Sequence, residues 1–170
     1  MFRSEKEAVK LLKKYSIIEP SVDVMRIAEQ EGINVLAKDL ESDISGILVI
    51  RDGKAAIGYN AHHHINRQRF TVAHELGHYI LHRHLRDLFI DDTLTFYRDA
   101  ASSEGEYLQE IQANSFAAEL LMPRDMLKEV LTTQKIDIHD QVNLGSLAGR
   151  FGVSEQSLTY RLINLEIIAG

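Results

Sequence analysis

The chain has 170 residues, 45% of them hydrophobic and 26% charged, with 19 Lys and Arg set against 25 Asp and Glu for a formal net charge of −6. That length can bury a core without staples, and the composition is that of a folded domain, not a disordered one. An acidic balance argues against a dominant nucleic-acid surface, and the absence of cysteine excludes disulfides and thiolate-held metal, leaving His, Asp and Glu as the available ligands.

The opening MFRSEKEAVKLLKKY has no uninterrupted apolar run, so no signal peptide is expected. No later stretch approaches the roughly 18 apolar residues of a membrane span, which makes cytoplasm the expected compartment. Ser4-Glu5-Lys6-Glu7 has capping-box spacing and opens a helix to about Tyr15, ended by Ile17, Ile18 and Pro20. A second helix is expected over Val22–Glu31, closed by Gly32 as a left-handed cap. Two β-rich runs follow, Ile33–Ala37 and Ile44–Ile50, and Asp52-Gly53 signals a hairpin returning through Ala55–Tyr59. These strands predict a small antiparallel sheet.

Helical patterning resumes at about Arg67, in RQRFTVAHELGHYILHRHL. Asp87–Glu106 reads as a polar loop with at most a short element, Tyr107–Leu121 as a helix, and Arg124–Thr132 as another after Pro123. The tail, Leu144–Leu165, shows two short helices around Gly152-Val153-Ser154. The expected fold class is α+β, a small sheet on a mostly helical core. Its expected division is a core over 1–135 and a helix-turn-helix-like segment over 136–170.

Most of the eight histidines lie between His62 and His84, and two of them belong to an H-E-x-x-H string, His74-Glu75-Leu76-Gly77-His78. Four residues along a helix is a rotation of about 40° and a rise of about 6 Å, so His74 and His78 share a face and can chelate one ion. Glu75 then stands beside the ligand axis, where a base for a metal-activated water belongs. The flanking Phe70, Ala73, Gly77, Ile80 and Leu81 mark a buried helix, on which two histidines and a glutamate must be satisfied by something.

A catalytic zinc site takes a third protein ligand and keeps one position open. His82 and His84 are poor choices, because ligands spread along one straight helix cannot converge on one ion, and they read as surface groups or as supports for the ligands. Glu110 on the downstream helix is the better candidate, with Asn114 one turn on to orient a neighbouring ligand. Glu119 is the rival on that helix, but a surface charge at the helix end is its simpler reading. Glu104 and Glu106 read as solvated. For oxyanion stabilisation His62, His63, His64, Tyr79, Tyr97 and Tyr107 are all available, and nothing in the sequence selects one, although the His triplet reads first as a solvated turn.

The string RQRFTVAHELGHYILH followed by EIQANSFAAELLMP resembles the ImmA/IrrE family of metallopeptidases, over roughly Ser21–Pro123. The resemblance implies a gluzincin-like, zincin-type core in which two helices meet across one zinc ion. It implies His74, His78 and Glu110 as ligands and Glu75 as the catalytic glutamate. It also implies a narrow substrate, a helix-turn-helix (Xre-like) transcriptional repressor whose cleavage relieves repression.

In the tail, Gly152 occupies the turn and Ser154 a cap, as in a helix-turn-helix. Residues 140–170 carry two basic side chains, Arg150 and Arg161, against three acidic ones. A structural or protein-docking use is therefore favoured over direct DNA binding through 144–165. The competing readings are a non-catalytic zinc-containing regulator or toxin–antitoxin component that binds a repressor or DNA without cutting, and a metallohydrolase of small molecules.

Overall fold

The first helix, α1 (Arg3–Lys14), buries Ala8, Leu11 and Leu12 on one face. It opens differently from its sequence signature. Phe2 is the cap, and the Glu5 carboxylate, not that of Glu7, reaches back to accept the Phe2 N–H at 2.9 Å. Ser4 and Glu5 are consequently turned inward and buried. The computed structural model describes residues 2–92, 104–134, 136–138 and 140–169.

After α1 come α2 (Val24–Gln30), β1 (Ile33–Lys38), β2 (Ile44–Arg51), β3 (Lys54–Asn60), α3 (Ile65–His82) and β4 (Leu88–Asp92). The chain continues through α4 (Glu104–Leu121), α5 (Arg124–Gln134), α6 (Gln141–Phe151) and α7 (Glu155–Asn164). The fold is α+β, with helices dominant. Tyr97 lies outside the described residues, whereas the start of the expected loop at Asp87 leads into a strand, β4, and Glu104 and Glu106 sit in the first turn of α4.

The sheet corrects the antiparallel expectation. Its order is β1-β3-β2-β4, and β1 pairs with β3 in parallel, so it is mixed. The hairpin itself forms as its Asp-Gly signal requires: Asp52 and Gly53 both take positive φ, 52° and 74°, in a two-residue turn between Arg51 and Lys54. That turn returns β3 alongside β2, and the short β1–β2 connection leaves room for β3 to slot between them. Asn60 fixes the arrangement, its buried side-chain amide donating to the carbonyls of Leu40, Glu41 and Ile44. Hydrophobic patterning reports which face of a strand is buried but not which neighbour it pairs with, so the parallel pairing was not legible.

Helix α3 runs under the sheet, with every residue from Thr71 to His78 buried. Two glycines allow its neighbours to approach. A Cβ on Gly46 of β2 would stand 2.3 Å from Thr71 Cγ2 and 3.3 Å from Glu75 Oε1, so strand and helix touch there at backbone distance. A Cβ on Gly77 would meet Phe116 Cδ1 at 3.0 Å and Ala113 at 3.2 Å, so the glycine of the HELGH string sets how closely α4 crosses α3. Gly46→Ala is expected to lower stability by about 1–3 kcal/mol, since strand or helix must shift to relieve the overlap. Urea unfolding measures that loss.

One cluster of buried apolar side chains extends from Leu11 and Ile27 through Ile57, Leu76 and Phe116 to Phe151 and Leu162. Helices α6 and α7 thus share the core of the rest. Gly152, left-handed with φ 64°, ends α6, and the Ser154 hydroxyl caps α7 by accepting the Ser157 N–H. Arg69 of α3 ties this turn down, donating to the carbonyls of Gly152, Phe151 and Val22. No helix among the described residues is long and apolar enough to cross a membrane.

Candidate metal centre

The His triplet before α3 is used for structure. His64 caps the helix, its Nδ1 accepting the Asn66 N–H at 3.2 Å, while His62 meets Asp39 at 2.8 Å and His63 reaches the Ser42 carbonyl. The cap starts α3 two residues earlier than expected. Nearly three turns further on, His74 and His78 are both buried and their Nε2 atoms face one another at 3.0 Å. Glu110, carried over from α4 by the close crossing at Gly77, places one oxygen 3.2 Å from His74 Nε2 and the other 3.2 Å from His78 Nε2. One ligand atom from each of the three residues lies within 4.8 Å of the others.

The outer nitrogens of both imidazoles are held from behind. His74 Nδ1 is 2.9 Å from Asn114 Oδ1, and His78 Nδ1 is 3.2 Å from His82 Nδ1, whose Nε2 is in turn 2.9 Å from Gln112 Oε1. One assignment of protons satisfies all three contacts: His74 Nδ1–H donates to Asn114, His78 Nδ1–H to His82, and His82 Nε2–H to Gln112. Both inner Nε2 atoms then present lone pairs. His82 thus contributes by holding a neighbouring imidazole, and α4 supplies Gln112 and Asn114 for the same purpose.

Two lone pairs and a carboxylate converging at about 3 Å are all acceptors, an arrangement that repels itself until a positive charge sits among them. The edges fit a small cation, because bonds of about 2.0–2.1 Å in a tetrahedral arrangement separate ligand atoms by roughly 3.3 Å. Electrostatics point the same way. Burial acts to lower His74, but its hydrogen bond to Glu110, with Asp91 and Glu75 nearby, raises it to about 9. Burial and the adjacent His74 charge lower His78 to about 4, against the pull of Glu110. The two imidazoles, outweighing burial, hold the Glu110 carboxyl far below the usual range.

Glu75 is fully buried, and neither carboxylate oxygen has a hydrogen-bond partner among the described residues. Burial pushes its carboxyl up to about 8, His74 opposing and Asp91 and Glu110 adding to the rise. An unpartnered carboxyl poised near neutrality beside the ligand cluster is suited to taking and returning a proton. Phe89 of β4 lies against the His78 ring, centroids 4.7 Å apart. Phe89, Asp91 and Gln112 were not found by sequence reasoning: β4, which carries the first two, has no motif of its own, and Gln112 sits between Glu110 and Asn114, off the i, i+4 spacing that marked them.

Glu119 corrects its reading as a surface charge. It is 1% exposed and paired with Arg161, itself 3% exposed, away from the ligand cluster. Arg161 also donates to Glu5 at 3.3 Å and to the Met122 carbonyl at 3.2 Å. Among the proposed oxyanion donors, Tyr107 is exposed on α4 and Tyr79 is half-buried against Arg83.

Residues 28–163 match the family model of the IrrE N-terminal-like domain, a peptidase family. The chain belongs to this family. The IrrE-like chain is 32% identical over 111 residues to metallopeptidase ImmA of Bacillus subtilis, covering 64% of this chain and 59% of ImmA. It is 28% identical over 125 residues to immunity region protein 2 of Bacillus phage phi105, covering 74% and 72% of the two chains. To the radiation response metalloprotease IrrE of Deinococcus radiodurans it is 39% identical over 99 residues, covering 56% of this chain and 27% of IrrE. It therefore spans less than two thirds of ImmA and about a quarter of IrrE. A Mycobacterium tuberculosis transcriptional regulator superposes with a TM-score of 0.64 at 19% identity, over 96% of this chain and 47% of that one, a likeness of fold. The domain is thus of metallopeptidase type, with His74, His78 and Glu110 forming a group able to hold a metal ion.

In this IrrE-like domain Asn114 is the most direct hold on His74. Asn114→Ala is expected to weaken metal binding about 10–100-fold. Competition with a chromophoric chelator measures it.

Proposed function

We propose that the chain is a zinc-dependent endopeptidase of the ImmA/IrrE type, holding one zinc ion through His74, His78 and Glu110, with Glu75 as its catalytic base. The observation that carries this reading is the three-acceptor face of His74, His78 and Glu110 set beside the unpartnered carboxylate of Glu75. Zinc is the best fit because two imidazoles and a carboxylate on a tetrahedral face are its catalytic donor set. When bound, it supplies Lewis acidity to a water and to a peptide carbonyl. Glu75 takes the proton of the attacking water and returns it to the departing amine. Asn114 and His82 keep the two imidazoles in the tautomer and orientation that leave Nε2 free.

Strand β4 supports a peptide as the substrate. It is an edge of the described sheet and Phe89 joins it to the site, so an extended segment lying along β4 would run beside the ligand cluster. The substrate in this proposal is a helix-turn-helix repressor in the cytoplasm, cut at one or few bonds. Residues 1–135 make the peptidase core and 136–170 a segment that docks protein in preference to DNA. Burial of Arg161 supports that preference, since it removes one of the segment's two basic side chains from the surface.

The test mixes zinc-loaded protein with the repressor encoded beside its gene and follows fragments by mass spectrometry. Discrete, chelator-sensitive cleavage is expected. An intact repressor in stable complex with the zinc-loaded chain favours the non-catalytic regulator instead.

A further inference from the structure

Behind the metal-ligand helix lies a cavity of about 810 Å³, between the first turn of α1, the outer face of α4 and α7. That volume falls in the range of small-molecule sites, and its walls are largely apolar, with Phe70, Ile111 and Tyr160 among them. Its polar groups carry mostly one sign. Arg3, Arg124 and Arg161 line it, Arg161 already paired with Glu119 and Glu5. Among the described residues the only carboxylate on the lining is Glu5, whose two oxygens are taken by Arg161 and the Phe2 N–H, which leaves the charges of Arg3 and Arg124. In a chain of net charge −6 this is a local reversal.

Two donors here have no partner among the described residues. The Ser4 hydroxyl, on a residue 2% exposed, is one, and Arg124 Nε is the other. Both residues line the cavity. The first turn of α1 adds N–H groups that have no acceptor within the helix, together with the positive end of its dipole. Unused donors, arginines and a helix N-terminus in an apolar cavity describe a receptor for an anion on an apolar body.

The cavity also adjoins the metal centre. Asn114 and Gln112 form part of its wall, and these are the side chains that hold His74 directly and His78 through His82. We propose that this cavity is an effector site for a small amphipathic carboxylate, and that Asn114 carries its occupancy to His74. The carboxylate sits at Ser4, Arg124 and the start of α1, with the apolar body along Ile111 and Phe70. A ligand that orders α4 here restrains the Asn114 amide, and with it the imidazole it orients. The regulatory half of the proposal rests on the peptidase reading. The binding half does not.

The test titrates the zinc-loaded protein with 2-naphthoate, using naphthyl fluorescence for affinity and ¹⁵N resonances for location. Saturable one-to-one binding is expected, with shifts centred on Ser4, Ile111 and Arg124 and extending to the Asn114 amide and the His74 ring. The neutral 2-naphthamide should bind at least tenfold more weakly, and Arg124→Gln should weaken naphthoate by a similar factor at unchanged Tm. Ile111→Glu, at a half-exposed position on the wall, should abolish binding and stands in if Arg124→Gln folds poorly. Equal affinity for acid and amide, full affinity in both variants, or shifts that stop short of Asn114 and His74 would overturn the proposal. No peptide substrate enters the measurement, so its failure leaves the peptidase reading standing, and an inactive peptidase leaves the binding result standing.

Discussion

Glu75→Gln is expected to lower repressor cleavage by about 10²–10⁴-fold while leaving zinc affinity and fold intact. Glutamine fills the same space, so the close approach of Gly46 to this side chain persists. What is lost is the capacity to take a proton, worth roughly 3–5 kcal/mol of barrier at that rate ratio. Stability should not fall. Burial raises the folded-state pKa of Glu75 to about 8, so the native state binds its proton more tightly than the unfolded chain does. The ionised group therefore costs the fold increasingly as pH rises from the ordinary carboxylate range through about 8, and glutamine carries no such cost. At neutral pH the variant should melt at or above the wild-type temperature. A variant that melts lower but cleaves as fast would make Glu75 a structural residue, and the assigned chemistry would fail.

The second large effect lies away from the chemistry. Arg161→Met should destabilise the protein by about 3–5 kcal/mol, because it strands Glu119 and Glu5 in the interior without their cation. For a chain of this size that corresponds to a fall in Tm of roughly 6–20 °C. The three side chains come from α1, α4 and α7, so the ion cluster joins the start of the chain to its last helix across α4. Replacing all three together, with Glu5→Gln and Glu119→Leu added, should restore most of the loss, since no buried charge is then left unpaired. A loss below about 1 kcal/mol for Arg161→Met alone would mean that water reaches the cluster and that its burial is not maintained in solution.

The convergence of His74, His78 and Glu110 was legible because the parts of this candidate site follow helical spacing. His74, Glu75 and His78 share one helix, and Glu110 with Asn114 repeats the i, i+4 geometry on another, so each half of the site is local. Their union depends on Gly77, whose missing side chain lets α4 approach, and that too is written in the HELGH string. Helix geometry disfavoured His82 as a ligand, but its bond to His78 Nδ1 becomes visible only when Gln112 is brought up from α4. Long-range pairings of ordinary residues were not legible. The Arg161–Glu119 pair spans 42 residues with no periodic signal, so Glu119 resembled a solvated charge. Likewise the Ser4–Glu7 spacing suggested a capping box, whereas Arg161 draws Glu5 inward and Glu5 caps the Phe2 N–H instead. The mixed sheet escaped for the same reason, since alternation along a strand does not encode its partner.

The most direct test of the central claim is a zinc titration of the wild type and of Glu110→Gln against a chromophoric chelator. One equivalent of zinc should bind the wild type. Glu110→Gln should bind it at least about 10²-fold more weakly, the share of one ligand in a zinc-binding free energy of roughly 10–16 kcal/mol. Equal affinity in the two proteins, or no zinc taken up by the wild type, would contradict a site built from His74, His78 and Glu110.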